Sequence, residues 1–223
     1  MNTKVKICGI KSIETLELLT ELQVDYVGFV FADSRRRIGS EEAADLLNAV
    51  PVHPPAVGVF VNPTLEELER IVAAVPLDVI QLHGQETPAF CREAAGRFAK
   101  RIWKAIPIGE DGPLAMQVES YWPHVEAFLF DTHDPRQAGG TGKRFRWEQI
   151  PGLLQRAGEA TPVIAGGITP ENVEELVTRY RPPMIDVSSG VETNGQKDAE
   201  KIKELMKRVR RHDQYDIHTG NRS

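Results

Sequence analysis

The feature that most constrains this chain's fold is a rhythm. Short β-branched apolar runs recur, and a longer amphipathic stretch follows each one. Eight runs read as strands: Val5–Cys8, Tyr26–Phe31, Ala56–Val61, Val79–His83, Ile102–Ala105, Ala127–Asp131, Val163–Ala165 and Ile185–Val187. Several, such as "YVGFVF" and "AVGVF", are continuously apolar rather than alternating, as strands of a parallel sheet buried on both faces are. The intervening stretches carry helix-start signals. Thr64 with Glu67 makes a capping box, Thr-Pro pairs stand at 87–88 and 169–170, and Ser12 and Ser40 can open two more helices. Helical signals are weakest around Leu114–Ser120 and Trp147–Arg156. Strand then helix, eight times in 223 residues, predicts an α/β fold, a single-domain (β/α)8 TIM barrel over residues 1–212. A doubly wound open sheet is the rival, because periodicity alone does not show closure. The polar segment 213–223 reads as a tail that frays.

Composition narrows the function classes. Net charge is 27 − 32 = −5, which argues against a general nucleic-acid binder. A membrane span needs about 20 apolar residues in succession, and no such run is present. The N-terminus lacks the layout of a signal peptide, and Cys8 and Cys91 are the only cysteines, so a reducing cytoplasm is expected. No CxxC or HxxxH spacing occurs, which speaks against a zinc site.

In a barrel the carboxyl ends of the strands face the active site. Those positions hold Cys8, "FADSRRR", "QLHG", Lys104, Asp131, "AGG" at 165–167 and "SSG" at 188–190. Gly166, Gly167, Ser188, Ser189 and Gly190 stand in adjacent loops where backbone N–H groups can cradle a phosphate, although each motif alone is also an ordinary tight turn. Asp131 ends an apolar strand. It is either a loop cap or a carboxyl with a proton-transfer task. Cys8 is either a core cysteine or a base. One arginine of "SRRRI" could clamp a carboxylate, against the default of a solvated basic run. Gln81, His83 and Lys104 are candidate site-lining residues. "QAGGTGKRFRW" reads as a mobile loop without the spacing of a nucleotide P-loop.

These motifs together resemble the phosphoribosylanthranilate isomerase family. The matching stretches are "KICGI", "GFVF" with "SRRRI", "GVFVN", "IQLHG", "FDT", "GGTGKRFRW", "AGGITPENV" and "DVSSGVE", in order from residue 4 to about residue 197. The resemblance implies a barrel without metal or organic cofactor. It implies an Amadori rearrangement in tryptophan biosynthesis, from N-(5-phosphoribosyl)anthranilate to 1-(2-carboxyphenylamino)-1-deoxyribulose 5-phosphate. It places Cys8 as general base, Asp131 as general acid and Arg36 on the anthranilate carboxylate. Gly142 falls in the mobile loop, and the 166–167 and 188–190 turns fall on the phosphate. The partner expected is a small phosphosugar, with no nucleic acid or membrane, and a monomer is favoured over a homodimer. The alternatives are another phosphosugar barrel or a non-catalytic phosphate binder. An indole-glycerol-phosphate synthase-like chain would want an N-terminal extension. An epimerase-like chain would want metal-ligating histidines.

Overall fold

The computed structural model describes residues 2–109, 112–113, 118–132 and 146–219, with the backbone alone at 112–113 and 212–219. Eight parallel strands form one sheet: β1 (Lys4–Cys8), β2 (Tyr26–Val30), β3 (Ala56–Phe60), β4 (Val79–Leu82), β5 (Arg101–Gly109), β6 (Ala127–Thr132), β7 (Thr161–Ala165) and β8 (Met184–Val187). Each strand pairs with the next in sequence, and β8 pairs back onto β1, so the sheet closes on itself. Closure removes the open-sheet alternative. It also leaves no unpaired edge among the eight strands.

The helices are α1 (Ile13–Glu21), α2 (Ser40–Ala49), α3 (Leu65–Ala74), α4 (Pro88–Phe98), α5 (Ile150–Arg156), α6 (Val173–Arg179) and α7 (Ala199–Thr219). Local chemistry sets their starts. The Ser12 side chain accepts from Thr15 N, Thr87 accepts from Phe90 N with Pro88 in the first turn, and Thr64 and Glu67 form the reciprocal box. Ser40 is the first helical residue rather than the cap; Gly39 takes the cap position, and its N–H donates to Glu42 Oε2. α6 starts at Val173, three residues beyond Pro170, because Asn172 Oδ1 accepts from Thr169 N and holds that segment in a turn. Between β5 and β6 the first part of the helix expected around 114–120 lies outside the described residues, and the described part is a 3-10 helix, Val118–His124, with Pro123 inside it. The stretch 147–156 divides into a 3-10 turn, Trp147–Gln149, and α5. α7 continues through most of the segment expected to fray, as far as Thr219.

Two apolar compartments hold the barrel. One lies between sheet and helices and includes Ile7, Phe29, Leu16, Leu47 and Phe128. The other fills the barrel: Tyr26, Val57, Val79, Trp103, Ala127, Leu129, Val163 and Met184 pack across it. Tyr26 and Trp103 meet edge to face, with ring centroids 4.9 Å apart. Side chains alternate along each strand, so the residues two places further on sit nearer the mouth. There the interior turns polar, with Lys6, Gln81 and Asp186 inside and Cys8, Val30 and Val59 capping the apolar layer. Trp103 is wholly buried and central to the interior layer. Trp103→Ala is expected to cost about 3–5 kcal/mol of stability. Chemical denaturation measures this, and a loss under about 1 kcal/mol would show that the barrel core is packed by other contacts.

Candidate active site

The carboxyl ends of the strands enclose a cavity of about 250 Å³. Its polar wall carries Cys8, Arg36, His83, Asp131, Asp186 and Ser188, and Val30, Val59 and Val61 give it an apolar side. Cys8 from β1 and Asp131 from β6 therefore open onto one mouth.

Cys8 ends β1 opposite Gly28 of β2. A Cβ at Gly28 would lie 2.8 Å from the Cys8 Sγ, so the bare glycine makes room for the thiol. The next residue, Gly9, has φ +89, and a Cβ there would lie 2.7 Å from Arg36 Cδ. The "CG" pair is thus one device: a thiol on the strand end and a left-handed turn that lets an arginine pack close. Burial pushes the Cys8 thiol above its ordinary range, while the ammonium groups of Lys6 and Lys197 pull against that rise.

Asp131 accepts from Thr132 N at 2.8 Å, and its Oδ2 is 3.3 Å from His83 Nε2. Behind His83, the Gln81 amide nitrogen lies 3.2 Å from Nδ1. Gly166, with φ +87, brings the loop after β7 against the same aspartate; a Cβ there would lie 2.9 Å from Asp131 Oδ1.

Of the three consecutive arginines, Arg36 alone is buried and lines the cavity; Arg35 and Arg37 are exposed. Arg36 Nε and Nη2 donate to Glu192 Oε1 and Oε2 at 2.7 and 3.0 Å. Lys197 Nζ donates to the same carboxylate at 2.7 Å, as does Arg35 at 3.0 Å. Burial works to raise Glu192, but its bonds to Arg36 and Lys197 win and hold its carboxyl below the usual range. Ser188 Oγ donates to the Cys8 carbonyl at 3.0 Å and ties the loop after β8 to β1. Gly190 packs directly on the Ile168 backbone, so the loops after β7 and β8 adjoin.

The family model for N-(5'-phosphoribosyl)anthranilate (PRA) isomerase matches residues 5–208. The chain belongs to the phosphoribosylanthranilate isomerase family. It is 57% identical to the N-(5'-phosphoribosyl)anthranilate isomerase of Brevibacillus brevis, over 99% of this chain and all of that one. The solved phosphoribosylanthranilate isomerase of Thermus thermophilus superimposes with a TM-score of 0.81 at 36% identity, covering 94% of this chain and all of that one. A solved phosphoribosylanthranilate isomerase in complex with reduced 1-(o-carboxyphenylamino)-1-deoxyribulose 5-phosphate gives a TM-score of 0.78 at 33% identity, covering 93% and 98%. The activity is that of an aldose–ketose isomerase in tryptophan biosynthesis, and the fold is the family's barrel.

Against that phosphoribosylanthranilate isomerase background, Lys104 is a correction. It does not line the mouth, because Trp103 and Ala105 on either side face the barrel interior and Lys104 points outward. Its ammonium donates to the carbonyls of Leu82, Gly84 and Ala105 and lies 3.2 Å from Glu86 Oε2, fixing the loop after β4. Gly142 and most of the loop expected to be mobile lie outside the described residues. Gly166, Gly167, Ser189 and Gly190 stand beside the cavity wall rather than on it. The sequence reading missed Asp186, Glu192 and Lys197. Asp186 carries a signal close to the one that singled out Asp131, an acid set within a short apolar run, "MIDV". Among the described residues no helix is long and apolar enough to cross a membrane, and no three His, Cys, Asp or Glu side chains are placed to hold a metal ion. Gly9→Ala would strain the left-handed turn and collide with Arg36. It is expected to cost about 1–3 kcal/mol of stability and at least tenfold in kcat/KM. Thermal unfolding and steady-state kinetics read both, and wild-type values in each would refute this reading of the "CG" turn.

Proposed function

We propose that Cys8 is the general base and Asp131 the general acid of the isomerisation. Arg36 holds the anthranilate carboxylate, and the loops bearing Gly166, Gly167, Ser188, Ser189 and Gly190 hold the phosphate. The observation that supports this most is the sharing of one cavity by the β1 thiol and the β6 carboxyl.

The chemistry then runs as follows. Asp131 gives its proton to the furanose ring oxygen, the C1–O bond breaks, and the nitrogen lone pair closes a protonated imine. The cation acidifies the C2 proton. The Cys8 thiolate takes that proton, and the electron pair returns to nitrogen through a C1=C2 double bond. The enolamine then tautomerises, with C1 gaining a proton and the C2 hydroxyl losing one. Each acid–base step contributes on the order of 10²–10⁴ in rate. The buried thiol needs help to ionise, and the imine places a positive charge in the mouth at the step that requires it. Arg36 presents the terminal edge of its guanidinium, since Glu192 occupies the Nε–Nη2 edge. Anchors at both ends of the substrate hold C1 and C2 between acid and base.

Cys8→Ala and Asp131→Asn are expected to fold normally and to lose at least about 10²-fold in kcat, followed by the decay of phosphoribosylanthranilate fluorescence. A base acts only when ionised and the Cys8 thiol lies above its ordinary range, so wild-type activity should climb with pH toward that range. Near-native kcat in either variant would reject the role assigned to that residue.

A further inference from the structure

We infer that Lys6 is a positioning residue for Cys8, its ammonium serving as the fixed counter-charge of the Cys8 thiolate. The inference rests on the reading of Cys8 as the base, and it goes beyond that reading by naming what lets a buried thiol ionise.

Lys6 and Cys8 are two residues apart on β1, so both side chains enter the barrel, with Lys6 one layer deeper. The Lys6 side chain has no exposed surface, a costly place for an ammonium unless it has partners and a task. Its Nζ is 3.0 Å from Asp186 Oδ2 on the neighbouring strand β8, where Lys6 and Asp186 stand in register. One carboxylate neutralises the ammonium but does not use it up. Burial alone would push Lys6 down, yet Asp186 and Cys8 together hold it above its ordinary range, so the site keeps a full cation. Asp186 is not saturated either: its Oδ1 is buried and has no partner among the described residues.

Charge around Cys8 is finely divided. Lys6 and Lys197 favour its thiolate, and Asp186 opposes it. Lys197 is committed to Glu192, which also holds Arg36 and Arg35, so three cations share that carboxylate and Lys197 is turned toward it. Across the cavity stand Asp33, His83 and Asp131, the last two paired with each other. Lys6 is the cation that shares β1 and the barrel interior with Cys8, and its removal would leave the Asp186 carboxylate beside the thiol without its ion-pair partner. A purely structural ion pair would have no effect on the thiol's ionisation when it is altered.

The test is the pH profile of iodoacetamide alkylation at Cys8, with peptide mass analysis to separate it from Cys91, which is fully buried and pushed up to about 11. Lys6→Met should raise the profile's midpoint by about one unit or more, a tenfold loss of thiolate at a given pH. Asp186→Asn should lower it. A barrel merely loosened by either change would alter the limiting rate at high pH and leave the midpoint in place. A midpoint that stays or falls in Lys6→Met overturns the inference. If Lys6→Met does not fold, Lys6→Gln takes its place, and a midpoint unchanged or lowered there overturns it. The kinetics of Cys8→Ser report separately on the base itself: retained turnover would remove the base reading while leaving the alkylation result on Lys6 intact.

Discussion

Closure of the sheet is the constraint on which the rest depends. A parallel strand holds a defined register with its neighbour, since a one-residue slip would move its apolar set to the wrong face. Eight such registers, returning from β8 to β1, fix which side chains enter the barrel at each level. The lower levels are apolar and the upper one is not. Lys6, Gln81 and Asp186 enter the barrel because alternation by two carries them inward, and Cys8 and Asp131 follow toward the rim. The site is therefore a consequence of the register, and its residues come from strands more than a hundred positions apart in sequence.

Placing charge inside a barrel has a cost, and each charged group there is met by another. Lys6 meets Asp186, Arg36 and Lys197 meet Glu192, and Lys104 meets Glu86 on the outer side of the sheet. Removing one member of such a pair is more damaging than removing both, since it strands a buried charge. The pairs also stiffen the mouth. Glu192 fastens the loop after β2 to the segment after β8, and Ser188 fastens that segment to β1. A site that must separate an acid from a base across one sugar gains from walls that do not move.

Much of this was legible in the sequence, for identifiable reasons. Apolar runs located all eight strands to within a few residues, because burial on both faces leaves a continuous pattern. Ser12, Thr64 and Thr87 announced their helices through local hydrogen bonds that need no tertiary context. Thr169 misled, since Asn172 competes for the same backbone and moves the cap. Lys104 misled because a strand end does not reveal which parity faces inward. β5 also runs four residues beyond the point at which its apolar signal was read to stop. Glu192 was invisible as the partner of Arg36: the two are 156 positions apart, and only closure brings them together. Lys6 stood in the very motif that named Cys8, and reading it required knowing that both point into a closed, dry interior.

The central claim is that thiol and carboxyl act on one sugar from opposite sides. The most direct measurement is a crystal structure of this protein with reduced 1-(o-carboxyphenylamino)-1-deoxyribulose 5-phosphate bound. The account predicts the phosphate at the loops after β7 and β8 and the carboxylate on Arg36. It predicts Cys8 Sγ and the Asp131 carboxyl within contact distance of the sugar on opposite faces. An analogue seated with either group out of reach, or with both on the same face, would contradict it.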